Sequence, residues 1–262
     1  MDVKLYIAMH KKADIPKDPL YIPIQVNAIK SEPFLETRDD QGDNISSLNN
    51  EFSELTALYS IWKNAHHDYT GLVHYRRYLS RKGGSDLSGV LTKQEAEELL
   101  KKYPVLLPKK RHYYIETIYS HYAHTFDASH LDKTRMILER LHPDSLPSFD
   151  EVMRSRSAYM FNMYLMREDL HESYCAWLFP VLFELQKEID TENMTAFEKR
   201  YAGRISERLF NVWLLDQMKN GTLKKEDLYE LPYIYLGKEP WGRKIVSFLL
   251  AKFFHKKYEE SF

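Results

Sequence analysis

The sequence predicts an α/β fold: a mostly parallel central sheet flanked by helices, with a helix-rich C-terminal half. Two observations predict it. Strand-like and helix-like segments alternate over the first 165 residues, the pattern of crossover connections between parallel strands. Beyond them, stretches at 168–188 and 203–219 carry apolar residues at helical spacing.

The run V-K-L-Y-I-A-M at 3–9 is the first strand, and Y-I-P-I-Q-V-N at 21–27 the second, where Pro23 argues for a sheet edge or a bulge. R-D-D-Q-G-D-N-I-S-S at 38–47 is polar and bears a glycine, so it reads as a loop. A helix follows over 48–65, with Phe52, Leu55, Leu58, Tyr59 and Trp62 on one face and Ser46 or Ser47 as N-cap. A strand at 69–75 leads through a glycine-rich turn, Arg81 to Gly84, into a helix over 92–102. V-L-L-P at 105–108 is a further strand, and helices are expected at 115–123 and 129–141. S-A-Y-M-F-N-M-Y-L-M at 157–166 reads as a buried strand, although its continuous apolar character also fits a helix.

The last segment, 241–258, differs in character. Trp241, Ile245, Phe248, Leu249 and Phe253 align along one helical side, while Arg243, Lys244, Lys252, Lys256 and Lys257 bring positive charge. Such a helix rests on an anionic membrane surface, or packs on the domain with its lysines in solvent. The chain therefore divides into a domain at 1–237 and a basic amphipathic helix at 238–262.

Charge is balanced, 37 basic against 38 acidic residues, which argues against a nucleic-acid partner because phosphate-backbone binding demands a basic surplus. The single cysteine, Cys175, rules out an intrachain disulfide and a cysteine-rich zinc site. The N-terminal M-D-V-K-L-Y-I-A-M-H lacks the basic and long apolar regions of a signal peptide, and no apolar run is long enough to span a bilayer. The expected location is the cytoplasm. Nineteen tyrosines suit a cleft that stacks on sugar rings, as well as an ordinary core rim.

Four stretches carry chemistry. In R-D-D-Q-G-D-N, Asp40, Asp43 and Asn44 offer oxygens to a divalent cation or to sugar hydroxyls, or simply cap a loop. In T-G-L-V-H-Y-R-R-Y-L, His74, Arg76 and Arg77 sit at the carboxyl end of a strand, where open α/β sheets bind ligands. Arginine there suits a bidentate grip on phosphate. Alternation puts Leu72, His74 and Arg76 on one face of the strand and Val73, Tyr75 and Arg77 on the other. In R-Y-A-G-R-I-S-E-R-L, Glu207 lies among Arg200, Arg204 and Arg208, either as a surface ion pair or as a base tuned by those arginines. In S-H-Y-A-H-T-F-D-A-S-H, His121, His124 and His130 surround Asp127 with no good zinc spacing. The Gly-rich dinucleotide loop, the Walker loop, the G-x-S-x-G elbow and the H-E-x-x-H helix are all missing.

D-D-Q-G-D-N-I-S, E-L-T-A-L-Y-S-I-W-K-N, Y-T-G-L-V-H-Y-R-R-Y-L and G-R-I-S-E-R-L-F-N-V-W-L together resemble the blocks of a bacterial family. It was first catalogued as a domain of unknown function in capsular and exopolysaccharide gene clusters, and its members are treated as glycosyltransferases. The resemblance covers about residues 3–235. It implies a compact GT-A-like domain that moves a sugar from a nucleotide-sugar donor, expected to be UDP-linked, to a saccharide acceptor, expected to be lipid-linked at the inner face of the membrane. In such folds an Asp-x-Asp metal motif usually ends a strand where this chain has His74-Tyr75-Arg76. The resemblance therefore implies that His74, Arg76 and Arg77 take the donor diphosphate without a required cofactor. Asp40 and Asp43 are the alternative holders of Mg²⁺ or Mn²⁺. Asp40, Asp43 and Asn44 would contact ribose or donor sugar. Glu207 or Asp127 would be the base, with Arg204 assisting or orienting Glu207; inversion and retention both stay open. Two other readings compete: a non-catalytic carbohydrate- or phosphate-binding module, and a metal-dependent phosphoesterase built on the histidines and Asp127.

Overall fold

The computed structural model describes residues 1–237. The basic segment 241–258, and with it the expected helix at 238–262, lies outside the described residues. In chain order the elements are β1 (Val3–Met9), β2 (Tyr21–Gln25), α1 (Asn49–Phe52), α2 (Leu55–Asn64), β3 (Tyr69–His74), β4 (Arg77–Leu79), α3 (Lys93–Leu100), β5 (Val105–Pro108) and β6 (Arg111–His112). They continue as α4 (Ile118–Thr125), α5 (Ser129–Leu141), α6 (Leu146–Arg154), β7 (Ser157–Ala158), β8 (Tyr164–Arg167), α7 (Glu168–Glu188), α8 (Tyr201–Lys219), β9 (Leu228–Leu231) and β10 (Tyr233–Tyr235).

The central sheet has the order β2–β1–β3–β8–β5–β9. Every strand in it runs the same way except β8, which is antiparallel to both β3 and β5. Pro23 lies in β2, whose strand pairing is with β1 alone, as an edge position permits. β4 folds back from the tip of β3 and pairs with β10. β6 and β7 form a separate two-stranded ribbon.

Side-chain alternation along each strand sorts the core onto two faces. Val3, Leu5, Ile7 and Met9 of β1 join Val73, Leu106 and Leu165 under α3. Tyr6 and Ala8 join Leu72, Val105, Leu107, Tyr164 and Met166 under the larger layer formed by α2 and α4–α8. Because both faces are covered, the strand tips, not the faces, are left for ligands. Gly71 in β3 is required by close approach: a Cβ there would lie 2.1 Å from the carbonyl oxygen of Tyr164 in β8.

Two expected elements divide. The helix expected over 48–65 breaks at Ser53, whose φ is 52°, into α1 and α2. Asn49 Nδ2 donates to Ser53 O, which holds the break. Neither Ser46 nor Ser47 caps it; Ser46 Oγ donates instead to buried Asp39. The strand expected over 157–166 is β7 and β8, parted by a turn in which Phe161 and Asn162 have φ of 77° and 51°. The strand expected to run past residue 74 ends at His74, and Tyr75-Arg76 form a two-residue turn. The face assignment that put Arg76 beside His74 therefore fails.

Buried histidines make this fold acid-sensitive. His121 is 5% exposed and His171 is 1% exposed. Burial, reinforced by Arg208 and Arg111, holds the His121 imidazole down at about 2, and burial holds His171 at about 3. An unfolded histidine titrates near 6.5, so the unfolded chain binds more protons than the native one below that pH. The stabilisation is fully present above pH ~6.5 and is lost progressively as the pH falls toward 3. At pH 5 each histidine forfeits about 2 kcal/mol. Denaturant midpoints should fall from pH 7 to pH 5, and His171→Phe should flatten the slope by about half of the histidine contribution. An unchanged slope would show that these imidazoles are not what the acid attacks.

Candidate active site

The site is built where β3 ends and the 159–163 turn enters β8. His74, the last residue of β3, contacts Phe161 O through Nε2 at 2.5 Å. The carbonyl can only accept, so Nε2 carries the proton and Nδ1 is left as an acceptor. Burial lowers the His74 pKa, against the opposing pull of Glu54 and Glu207, so the ring is mainly neutral at pH 7. The positive charge of H-Y-R-R-Y therefore rests on Arg76 and Arg77, not on His74.

Arg76, at the turn, is exposed, its guanidinium 5.2 Å from the Tyr75 ring centroid. Arg77 is packed between Phe161, at 4.7 Å, and Tyr235 of β10, at 5.0 Å. Its Nε is buried without a hydrogen-bond partner among the described residues. A buried donor on a cation that meets no acceptor calls for a partner, a water or an anion among them.

The strained turn opposite is pinned on every side. Phe161 N donates to Glu207 Oε1 at 3.0 Å, and Phe161 O accepts from His74. Asn162 is 4% exposed; its Nδ2 donates to Glu54 Oε1 at 2.7 Å and to Gly203 O, while its Oδ1 accepts from Ser206 Oγ. Left-handed φ at a phenylalanine costs of order 1–3 kcal/mol, and these contacts hold it there. The turn thereby binds two carboxylates, Glu54 at the start of α2 and Glu207 on α8, near His74 at the β3 tip.

The carboxylates differ. Glu207 Oε1 takes the Phe161 amide, and Oε2 takes Arg208 Nη1 at 2.7 Å. Arg208 is 3% exposed, so this pair is fixed and desolvated. Glu54 uses Oε1 for Asn162, and its Oε2 meets no donor among the described residues.

The other expected residues lie elsewhere. Arg204 does not orient Glu207: it is stacked between Phe126 and Phe197, each 4.2 Å away, and burial lowers its pKa to about 10. Arg208, the next residue, is the true partner. Asp127 is exposed and accepts from Ser129 N at the start of α5. His124 pairs with Glu116 at 2.6 Å, His130 with Tyr122 at 3.1 Å, and His121 packs on Tyr113, so each histidine has its own surroundings. Asp40 pairs with Arg38 at 3.0 Å. Asp43 and Asn44 tie the loop to itself and to Tyr59 and Asn64 of α2. Asn64 ends α2 on the way into the start of β3, the opposite end of the helix from the strand tips. Gly42, with φ +61°, is the hinge of this loop, and a Cβ there would strike Asn64. Among the described residues no group of three or more metal-ligating side chains converges.

The sequence reading overlooked Glu54, Asp39 and Asn162. Asn162 carried a usable signal, as the only amide in the apolar run 157–166. Asp39 is fully buried and accepts from Asn27 N, Ala28 N, Ser46 Oγ and Thr56 Oγ1, fixing the chain that leaves β2.

A family described as a domain of unknown function, DUF4422, matches residues 4–219. The solved structure titled WbbM bifunctional glycosyltransferase, apo form, superposes with a TM-score of 0.83 at 29% identity, over 91% of this chain and 46% of that one. The chain thus spans just under half the length of that protein. No curated protein matches.

Proposed function

Since the chain belongs to the DUF4422 family and its sheet and helices form a GT-A-like fold, we propose that it is a glycosyltransferase using a nucleotide-sugar donor, UDP-linked, and a saccharide acceptor in polysaccharide assembly. One observation carries this reading: the partnerless Nε of Arg77 lies at the same strand tip as two carboxylates, one of which has an open oxygen. A cationic grip beside a base is what transfer from a diphosphate leaving group requires.

In this mechanism Arg76 and Arg77 bind the donor diphosphate. An acceptor hydroxyl attacks the anomeric carbon, its proton passes to Glu54 Oε2, and the bond from that carbon to the diphosphate oxygen breaks. The negative charge that develops on the leaving oxygen is met by the two guanidiniums. Neutral His74 holds the Phe161 turn through its Nε2–H. Glu207, locked by Arg208, positions the same turn. No step is routed through a metal; if one is used, Asp40 and Asp43 are the residues that would hold it.

UDP at about ten times its Kd should raise the melting temperature by about 4 °C. Arg76→Ala, at an exposed turn position, should leave the melting temperature of the free protein unchanged and remove most of that shift. A panel of nucleotide sugars, scored for nucleotide release with and without EDTA, tests donor and metal together. Saccharide binding with no response to any nucleotide at millimolar concentration would instead identify a carbohydrate-binding module.

A further inference from the structure

The ribbon of β6 and β7 carries a surface that the proposed transfer chemistry does not use. Lys109, Lys110, Arg111 and His112 are all exposed, as is Arg156 just before β7. Beyond them Tyr114 is 80% exposed and Ile115 is 56% exposed. Tyr114 has φ 53°, and Ile115 N donates back to Tyr113 O at 2.6 Å, a tight turn that presents the ring outward. Arg156 Nη1 donates to Tyr114 O and braces this turn. The carboxylate in the stretch, Glu116, is 3% exposed and bound to His124, so it faces inward. An aromatic and a branched aliphatic side chain at a loop tip, ringed by cations, match the charge and polarity of an anionic lipid headgroup layer.

We propose that this tip, residues 109–115, docks on an anionic membrane surface, with Tyr114 and Ile115 entering the headgroup region and Lys109, Lys110, Arg111 and Arg156 meeting lipid phosphates. β7 runs directly into the 159–162 turn of the candidate site. The docking ribbon is thus continuous in the chain with the turn of the candidate site. The inference stands on this patch alone, independent of residues 238–262 and of transferase activity.

Cys175 is fully buried, so a thiol introduced at position 114 can be labelled selectively in the full chain. Tyr114→Cys carrying an environment-sensitive fluorophore should shift to the blue with phosphatidylglycerol-containing vesicles, not with pure phosphatidylcholine, and the shift should fade as salt rises. Lys109→Ser, Lys110→Ser and Arg111→Ser should each weaken vesicle partition about fivefold. The proposal is overturned if the chain sediments with vesicles while the label stays in water, if it does not sediment at all, or if the triple variant partitions like the parent. A shift produced equally by soluble polyphosphate would assign the patch to soluble polyanions and overturn it too.

Discussion

Glu54→Gln is expected to lower the turnover of nucleotide release by roughly 10²–10⁴-fold while leaving UDP binding intact. Glutamine keeps the oxygen that accepts from Asn162 Nδ2, so the turn at 161–162 stays in place. What it loses is the second oxygen, which in the proposed mechanism takes the acceptor proton. Glu207→Gln makes the informative comparison. An amide there cannot accept from both the Phe161 amide and Arg208, and it leaves a buried guanidinium without its counter-charge. Breaking such a pair costs about 3–5 kcal/mol, so this variant should lose stability as well as activity. Full turnover in Glu54→Gln, with catalysis lost and folding retained in Glu207→Gln, reverses the two roles and returns the base to Glu207.

Asp39→Ala should be the most damaging single change away from the core helices. Asp39 is 0% exposed and receives four donors, two backbone amides and two hydroxyls. Removing the carboxylate leaves all four buried without an acceptor, and each orphan costs about 1–3 kcal/mol before relaxation. A loss of about 4 kcal/mol follows once the hydroxyls find other partners, read as a urea midpoint lower by roughly 1.5 M. Asp39→Asn retains the shape but turns an NH₂ toward two of the donors, and should cost about half as much. If Asp39→Ala unfolds at the parental midpoint, the loop after β2 is held by something other than this carboxylate.

The contrast between Asp39 and Asp40 shows where sequence reasoning reached its limit. Both carboxylates of the D-D pair were visible in the loop, but nothing local distinguishes the one that turns inward. That choice is made by Thr56 and Ser46, residues 17 and 7 positions away. β1, α5 and α7 were legible to the residue because their apolar periodicity is sustained from end to end. The break at Ser53 was hidden because the apolar spacing continues across it, from Phe52 to Leu55. The turn at Tyr75-Arg76 has no glycine, asparagine or proline to announce it. α6 did carry a signal, Pro147 near its start and Phe149, Val152 and Met153 on one side, and it was missed. β9 and β10 are too short, and too divided by Pro232, to show a period. In the site, the cationic strand end was legible as chemistry. Its true neighbours, Glu54 and Asn162, come from elements 20 and 88 residues from His74, a closeness that only the tertiary fold creates.

The pairing of β10 with β4 has a consequence for the order in which the protein is made. Tyr235 covers one face of the Arg77 guanidinium, and β9 closes the edge of β5, yet both strands lie after residue 227. A ribosome delivers them long after residues 77–79 and 105–108. While residues 77–79 and 105–108 are already out, their partners at 233–235 and 228–231 are still being synthesised or sheltered in the exit tunnel. Until they emerge, the nascent chain exposes two unpaired strand edges and a half-clamped cation, the situation in which chaperone contact is most useful. The proposed anion grip at the strand tip is complete only once residue 235 has emerged, so binding competence would follow the last of these strands.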